Sequence, residues 1–211
     1  LDAGVSVAWL EGFYRGLAAC ARRYRVPIVG GDVAQADGVV AASLTLLGTA
    51  AGGRRARVIS RRGAVAGDWI YVTGVLGGSV ASGHHCTFAP RLAEGAWLAQ
   101  RRAVRAMMDV SDGLAKDLHA LTPAGATPAL RAAWLPRRRG ASVAAALSEG
   151  EDYELVFVVA QEADRAALMR AWRARFRTRL TCIGQFVDRR ERPGDAVDLA
   201  AFRGYEHLAH A

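Results

Sequence analysis

Ala146-Leu147-Ser148-Glu149-Gly150-Glu151-Asp152-Tyr153-Glu154-Leu155-Val156-Phe157-Val158-Val159 places four carboxylates within six residues and then runs into unbroken apolar sequence. An apolar run of this length, entered from a charged turn, predicts a buried strand over residues 153–159. The next segments extend the pattern: residues 161–176 have helical spacing, and residues 181–187 read as a further strand. Working back, residues 112–121 predict a helix opened by Asp112-Gly113, preceded by a short strand at Met107-Met108 that ends near Asp109. Residues 91–102 predict another helix, and Trp69 to Thr73 another strand, ending in Gly74. The Pro-, Gly- and Arg-rich stretch 122–140 supports no assignment.

Nearer the start, Leu10, Phe13, Leu17, Ala21 and Tyr24 recur at helical spacing, predicting a helix over residues 7–24 capped by Ser6 and ended by Pro27. Ile28-Val29 predicts a short strand running into Gly30-Gly31-Asp32, and residues 39–47 alternate as a second strand. Gly52-Gly53-Arg54-Arg55 marks a boundary. Strands and helices mixed in this way, without a repeat, predict an α/β (α+β) protein of mixed sheets packed with helices.

The 211 residues are 52% hydrophobic and 23% charged, which excludes a disordered or fibrous chain. The longest apolar run, residues 39–47, is interrupted by Ser43 and Thr45 and falls short of the ~20 residues that span a bilayer. No basic-then-apolar leader opens the sequence. The formal charge of +8 rests almost wholly on arginine, Lys116 being the single lysine. Its clusters, such as Arg137-Arg138-Arg139 and Arg189-Arg190-Glu191-Arg192, are scattered and lack interleaved aromatics, so a solvated surface is expected and no nucleic acid or membrane partner. Lys116 follows Ala115, which excludes a Gly-Lys-Ser/Thr phosphate loop. Cys20, Cys86 and Cys182 are distant and form no CxxC pair, so the expected setting is a reducing cytoplasm.

Three acidic segments carry chemistry. In Val29-Gly30-Gly31-Asp32 the paired glycines permit close approach to a phosphate, with Asp32 placed to hold a cation; an ordinary turn is the alternative. In Met108-Asp109-Val110-Ser111-Asp112-Gly113, two carboxylates and a hydroxyl bracket a strand-to-helix turn. That set suits a hydrated Mg²⁺ bridging phosphates, and the N–H groups of the helix start would attract anions. Helix capping is the alternative there, although it accounts for only one of the two aspartates. The acidic run 148–155 suits a cation or a cationic substrate, or simply a solvated loop.

Taken in order, these motifs resemble the thiamine-monophosphate kinase family, within the aminoimidazole-ribotide synthetase-like group. The matching stretches are WLEGFYRGLAACARRYRVPIVGGD (9–32), SRRGAVAGDWIYVTG (60–74) with LGGS (76–79), MDVSDGLAKDL (108–118), ALSEGEDYELVF (146–157), CIGQ (182–185) and FRGYEH (202–207). The resemblance implies an aminoimidazole-ribotide synthetase-like C-terminal α/β domain over residues 58–211, preceded at 1–57 by the end of a nucleotide-binding domain. It implies a longer family pattern in which an upstream segment carries a Gly-Asp-Asp motif. It also implies Mg²⁺-dependent phosphoryl transfer from ATP to thiamine monophosphate, giving thiamine diphosphate, in a cytoplasmic homodimer. By similarity, Asp32, Asp109 and Asp112 would hold Mg²⁺, while Gly31, Asp32, Arg61 and Ser111 would contact the nucleotide. Glu151 and Phe202 would line the thiamine pocket, where a carboxylate and an aromatic wall suit a cationic ring. No general base and no covalent intermediate is implied. The sequence departs from the family pattern at Gly78, where an aspartate is common, at Glu149, which replaces a glycine, and at Val33. A non-catalytic relative that keeps a nucleotide- or thiamine-phosphate-binding shell is the alternative reading.

Overall fold

The computed structural model describes residues 1–50 and 57–205. The boundary expected at Gly52-Gly53-Arg54-Arg55 and the terminal Glu206-His207 lie outside the described residues. The chain forms two compact units, Leu1–Gly48 and Thr49–Ala211.

In the first unit, Ser6 starts helix α1 (Val7–Tyr24) by accepting a hydrogen bond at Oγ from Trp9 N, 3.2 Å away. The helix ends where Arg25 adopts a left-handed φ of 58° and returns its N–H to the carbonyls of Ala21 and Arg22. The stripe Leu10, Phe13, Leu17, Ala21 and Tyr24 is the half-buried face, as its spacing requires. Residues 28–29 and 39–47 are not strands, contrary to their alternation. A strand needs a neighbour for its N–H and C=O groups, and among the described residues no ladder pairs with either stretch. Val29 and Leu47 are 91% and 92% exposed. The segment is instead tied to the start of the chain. Leu1 N donates to Ala34 O at 2.6 Å, and the Asp2 carboxylate accepts from Gly38 N at 2.7 Å.

The second unit is built on a five-stranded sheet: β1 (Trp69–Thr73), β2 (Val104–Val110), β3 (Ala126–Leu130), β4 (Glu154–Val159) and β5 (Leu180–Asp188), in the order β2-β4-β1-β5-β3. Every pairing is antiparallel. The inner strands β1 and β4 are mostly apolar because both faces are covered. Ile70, Val72, Val156 and Val158 meet one core, shared with Leu114, Leu118 and Leu121 of α5 (Leu114–Leu121) and with Ala146 and Leu147 of α6 (Val143–Ser148). Tyr71, Phe157 and Val159 meet the other, with Trp97 and Leu98 of α4 (Leu92–Ala99) and Trp172 of α7 (Arg165–Arg175). Tyr71 and Phe157 are register partners, their rings stacked with centroids 5.6 Å apart. Each large side chain so buried contributes about 1.5–3 kcal/mol. A bulge opposite Ile70 and Tyr71 pairs Gly184 with Ile70 and Cys182 with Tyr71, leaving Ile183 as the extra residue, its side chain in the first core.

Two short helices, α2 (Ser79–Ser82) and α3 (His84–Thr87), link β1 to α4. Within the unassigned stretch 122–140 the structure forms β3, which contains Pro128 and sits at the sheet edge, where a missing N–H is tolerated. The opposite edge, β2, is covered by residues 57–60. Arg57 donates to Arg101 O at 2.8 Å and to Val104 O, while Ser60 O accepts from Met107 N at 3.1 Å.

Candidate functional site

Strand β2 ends at a turn whose backbone is held by bonds to Asp117, Glu151 and Tyr205. Asp109 is exposed near the end of the strand, paired through its backbone with Leu155. The chain then turns through Ser111 and Asp112 to Gly113, whose φ of 105° and tight contact with Ser148 O exclude a side chain. Capping by Ser111 or Asp112 does not occur; Gly113 occupies the cap position without a side-chain bond. Instead Asp117, buried in the first turn of α5, reaches back so that its Oδ2 accepts from Ser111 N (3.0 Å) and Asp112 N (3.1 Å). Those two N–H groups, which precede the helix, are therefore taken by Asp117. Burial pushes the Asp117 carboxyl up to about 6 despite these two bonds, and Asp112 and Asp109 push it the same way.

Ser111 and Asp112 are half-exposed and Asp109 is exposed. Asp112 Oδ2 pairs with Lys116 Nζ at 2.8 Å, and Lys116 also donates to Tyr205 O at 2.7 Å. Tyr205 N donates to Asp112 O at 2.9 Å, which docks the tail bearing Phe202 onto the turn. Gly204 makes this approach possible, since a Cβ there would lie 2.5 Å from Asp112 O. Phe202 is half-buried and packs against the core that contains Leu114.

The acidic loop joins the same turn from the other side. Glu151 N donates to Ser111 O and Tyr153 N to Val110 O, both at 2.8 Å. Gly150 is required here because its Cβ would stand 2.2 Å from Ser111 O. Glu151 and Tyr153 hold positive φ values of 66° and 51°. Such non-glycine conformations cost on the order of 1–3 kcal/mol each and persist only where surrounding bonds enforce them. Ser79 Oγ supplies one by donating to Glu151 O at 2.5 Å.

The four carboxylates of this loop divide into two kinds. Asp152 and Glu154 point inward and are structural. Asp152 accepts from Gly77 N at 2.8 Å and lies 3.5 Å from Arg138 Nη2; Glu154 is gripped by Arg91. Glu149 and Glu151 face outward. Glu149 Oε2 accepts from Gly78 N at 2.5 Å, so two of the departures from the family pattern meet in one bond.

Burial raises the Asp152 carboxyl from its ordinary 3.8 to about 6, outweighing the bond from Gly77 and the charge of Arg138. A raised acid binds its proton more tightly when folded. Its stabilising contribution is therefore complete below about pH 4 and is lost as pH rises toward 6. Carboxyl-carbon NMR is expected to show a titration midpoint near 6 for Asp152. Asp152→Asn should flatten the dependence of Tm on pH between about 4 and 6. A midpoint near the ordinary value would contradict the assignment.

Ser111, Asp109 and Asp112 thus share one surface region with Glu151 and the docked tail of Phe202. Arg61 is exposed and follows Ser60, the residue bonded to Met107 two positions before Asp109. Gly31 and Asp32 are exposed in the first unit, on chain without regular structure. Among the described residues, no three His, Cys, Asp or Glu side chains are grouped to cage an ion. The charge of Asp109 and Asp112 is nevertheless felt together at Asp117 and at the Tyr153 phenol. Two outward carboxylates beside a hydroxyl fit a hydrated Mg²⁺, which takes only one or two protein carboxylates and completes its shell with water and phosphate. Sequence reasoning missed Asp117, Ser79 and Tyr153. The Asp112/Asp117 spacing across the helix start was the available signal for the first, and nothing local marked the other two.

The family described as AIR synthase related protein, N-terminal domain, matches residues 2–52. The thiamine-monophosphate kinase of Rhodopirellula baltica (strain DSM 10527 / NCIMB 13988 / SH1) is 38% identical over 160 residues, covering 71% of this chain and 49% of the relative. That of Escherichia coli (strain K12) is 33% identical over 239 aligned residues, covering 97% of this chain and 70% of the relative. The chain therefore spans about half of the first relative's length and more than two thirds of the second's. Among solved structures, AaThiL complexed with AMPPCP and TMP superposes with a TM-score of 0.67 at 21% identity, covering 99% of this chain and 71% of that one. At that identity the likeness speaks for the fold, an antiparallel sheet between helices.

Proposed function

The chain belongs to the thiamine-monophosphate kinase family, and from that premise we propose that it moves the γ-phosphoryl group of ATP onto the phosphate of thiamine monophosphate, giving thiamine diphosphate. The observation that carries this reading is the 2.8 Å bond from Glu151 N to Ser111 O, which joins the aspartate turn to the acidic loop. A phosphate-handling motif and a cation-recognising motif are thereby held against one another. In support, the related AaThiL structure is complexed with AMPPCP, an ATP analogue, and TMP.

In this proposal Asp109 and Asp112 would hold Mg²⁺ through their carboxylates, and Asp32, taken by itself in the first unit, would also bind Mg²⁺, as the family resemblance implies. When bound, the metal neutralises charge on the phosphate oxygens. In the second unit Ser111 and Arg61 would contact the nucleotide, Arg61 offering a fork of donors to phosphate; for the first unit the family resemblance implies the same role for Gly31 and Asp32. Glu151 faces the cationic thiamine moiety and Phe202 walls its pocket. The accepting phosphate is largely dianionic near neutral pH, as phosphate monoesters with a second pKa of about 6 are. One of its oxygens forms the new P–O bond as the β,γ-bridging P–O bond breaks, and no proton has to be removed first. The chain's own work is therefore alignment and charge compensation, and no general base is assigned. We place the protein in the cytoplasm as a homodimer; no helix among the described residues is long and apolar enough to cross a membrane.

ADP release that depends on thiamine monophosphate, and that thiamine itself does not support, is the expected behaviour. Phe202→Ala should raise the KM for thiamine monophosphate about tenfold, the worth of a lost aromatic wall around a cation, with little change in the KM for ATP. An unaltered KM for thiamine monophosphate would remove Phe202 from the pocket.

A further inference from the structure

Glu151 is exposed, and an exposed glutamate samples many rotamers whose loss would weaken recognition of a substrate. In this loop its carboxylate is not free to do so. Tyr153 Oη donates to Glu151 Oε2 at 2.8 Å, across a single intervening residue. Both residues hold left-handed φ values, 66° and 51°. The Tyr153 ring is itself held. It stacks on Phe88 with centroids 4.2 Å apart and planes 20° from parallel. Phe88 closes α3, its N–H bonded to His84 O at 2.8 Å, and the His84 ring lies 6.5 Å from its own. A chain of contacts thus runs from α3 through two stacked rings to one carboxylate oxygen, leaving Oε1 for a ligand.

We propose that Tyr153 is a positioning residue that fixes the Glu151 carboxylate for the cationic ring of the substrate, with Phe88 as its backing. The inference rests on the kinase reading only for the identity of the ligand, thiamine monophosphate. It adds a residue that touches no reacting atom and acts through Glu151. A surface Tyr–Glu bond is often incidental. Here the bond coincides with two strained backbone positions and a ring stack, each of which a purely structural loop could do without.

The test compares wild type, Tyr153→Phe, Glu151→Gln and the double variant, each as the full chain, by calorimetric binding of thiamine monophosphate and by turnover. Tyr153→Phe keeps the ring and its stack, so Tm should hold while thiamine monophosphate binds about tenfold more weakly, the scale of a lost hydrogen bond to a charged group. In turnover the change should fall on the KM for thiamine monophosphate rather than on kcat. In the Glu151→Gln background the same replacement should have little further effect, since the two act as one unit. Phe88→Leu should weaken binding in the same direction. Equal binding by wild type and Tyr153→Phe overturns the proposal whether or not the enzyme turns over. So does an undiminished effect in the Glu151→Gln background. Tenfold weaker binding by Tyr153→Phe in a protein that produces no thiamine diphosphate would support Tyr153 and remove the kinase reading. Failure of the wild type to bind thiamine monophosphate overturns both.

Discussion

Asp112→Ala is expected to lower Mg²⁺-dependent turnover by on the order of 10²- to 10³-fold, the usual cost of removing one preorganised charge-stabilising group, while leaving the fold almost untouched. The split follows from how the turn is built. Its backbone is held by Asp117, which accepts from the N–H groups of Ser111 and Asp112, and by Tyr205 N on Asp112 O. None of these bonds uses the Asp112 side chain. That side chain makes a 2.8 Å pair with Lys116, and both partners are substantially solvated. Exposed pairs of this kind contribute about 0–1 kcal/mol. Tm should therefore move little as activity collapses, and raising Mg²⁺ should recover part of the loss. Unchanged turnover would show that Asp112 does not hold the metal.

Glu154→Ala is expected to have the opposite profile, destabilising the protein by about 3–5 kcal/mol, as breaking a buried ion pair by removing one member does. Glu154 is 2% exposed, with Arg91 Nη2 at 2.5 Å from Oε1, Arg91 Nε at 2.7 Å from Oε2 and Thr73 Oγ1 at 2.6 Å. Alanine leaves a guanidinium and a hydroxyl without their acceptor at the start of β4, and Gly74 loses the group it packs against. Glu154→Gln keeps the shape and an acceptor for Thr73, and should lose less. Because Glu154 follows Tyr153 directly, the KM for thiamine monophosphate should rise as well. Denaturant unfolding at neutral pH measures the first effect; a loss below about 1 kcal/mol would contradict a buried, paired carboxylate.

How far the sequence carries depends on whether an element's partners are encoded nearby. The apolar runs of β1 and β4 were legible because both of their faces are buried, so nearly every position reports burial. The helix at residues 7–24 was legible because its stripe and its Ser6 cap are local. Alternation over residues 39–47 states which side chains share a face, but not which strand pairs with them, and no ladder forms there among the described residues. Strand β3 hid behind Pro128, tolerable only because Ala126–Leu130 lies at the edge, a fact of topology.

The site divides the same way. A strand-to-helix turn pointed to Asp109 and Asp112 and the acidic loop to Glu151, yet the run 149–154 gave no means of telling outward Glu151 from inward Asp152 and Glu154. The distinction comes from Gly77, Arg138, Thr73 and Arg91, remote in sequence. Gly150 reads as a turn residue, but its necessity is Ser111 O standing where a Cβ would go. Asp117 was not singled out in the sequence, although it is the group that organises the turn.

The central claim is that the turn 109–112 and the loop 149–153 together direct a phosphoryl group onto thiamine monophosphate. The most direct measurement incubates the protein with ATP, Mg²⁺ and thiamine monophosphate and resolves the products by chromatography. Thiamine diphosphate that disappears with EDTA and in Asp112→Ala is the predicted result. A folded protein that binds thiamine monophosphate but forms no thiamine diphosphate would contradict it, leaving a binding relative in place of an enzyme.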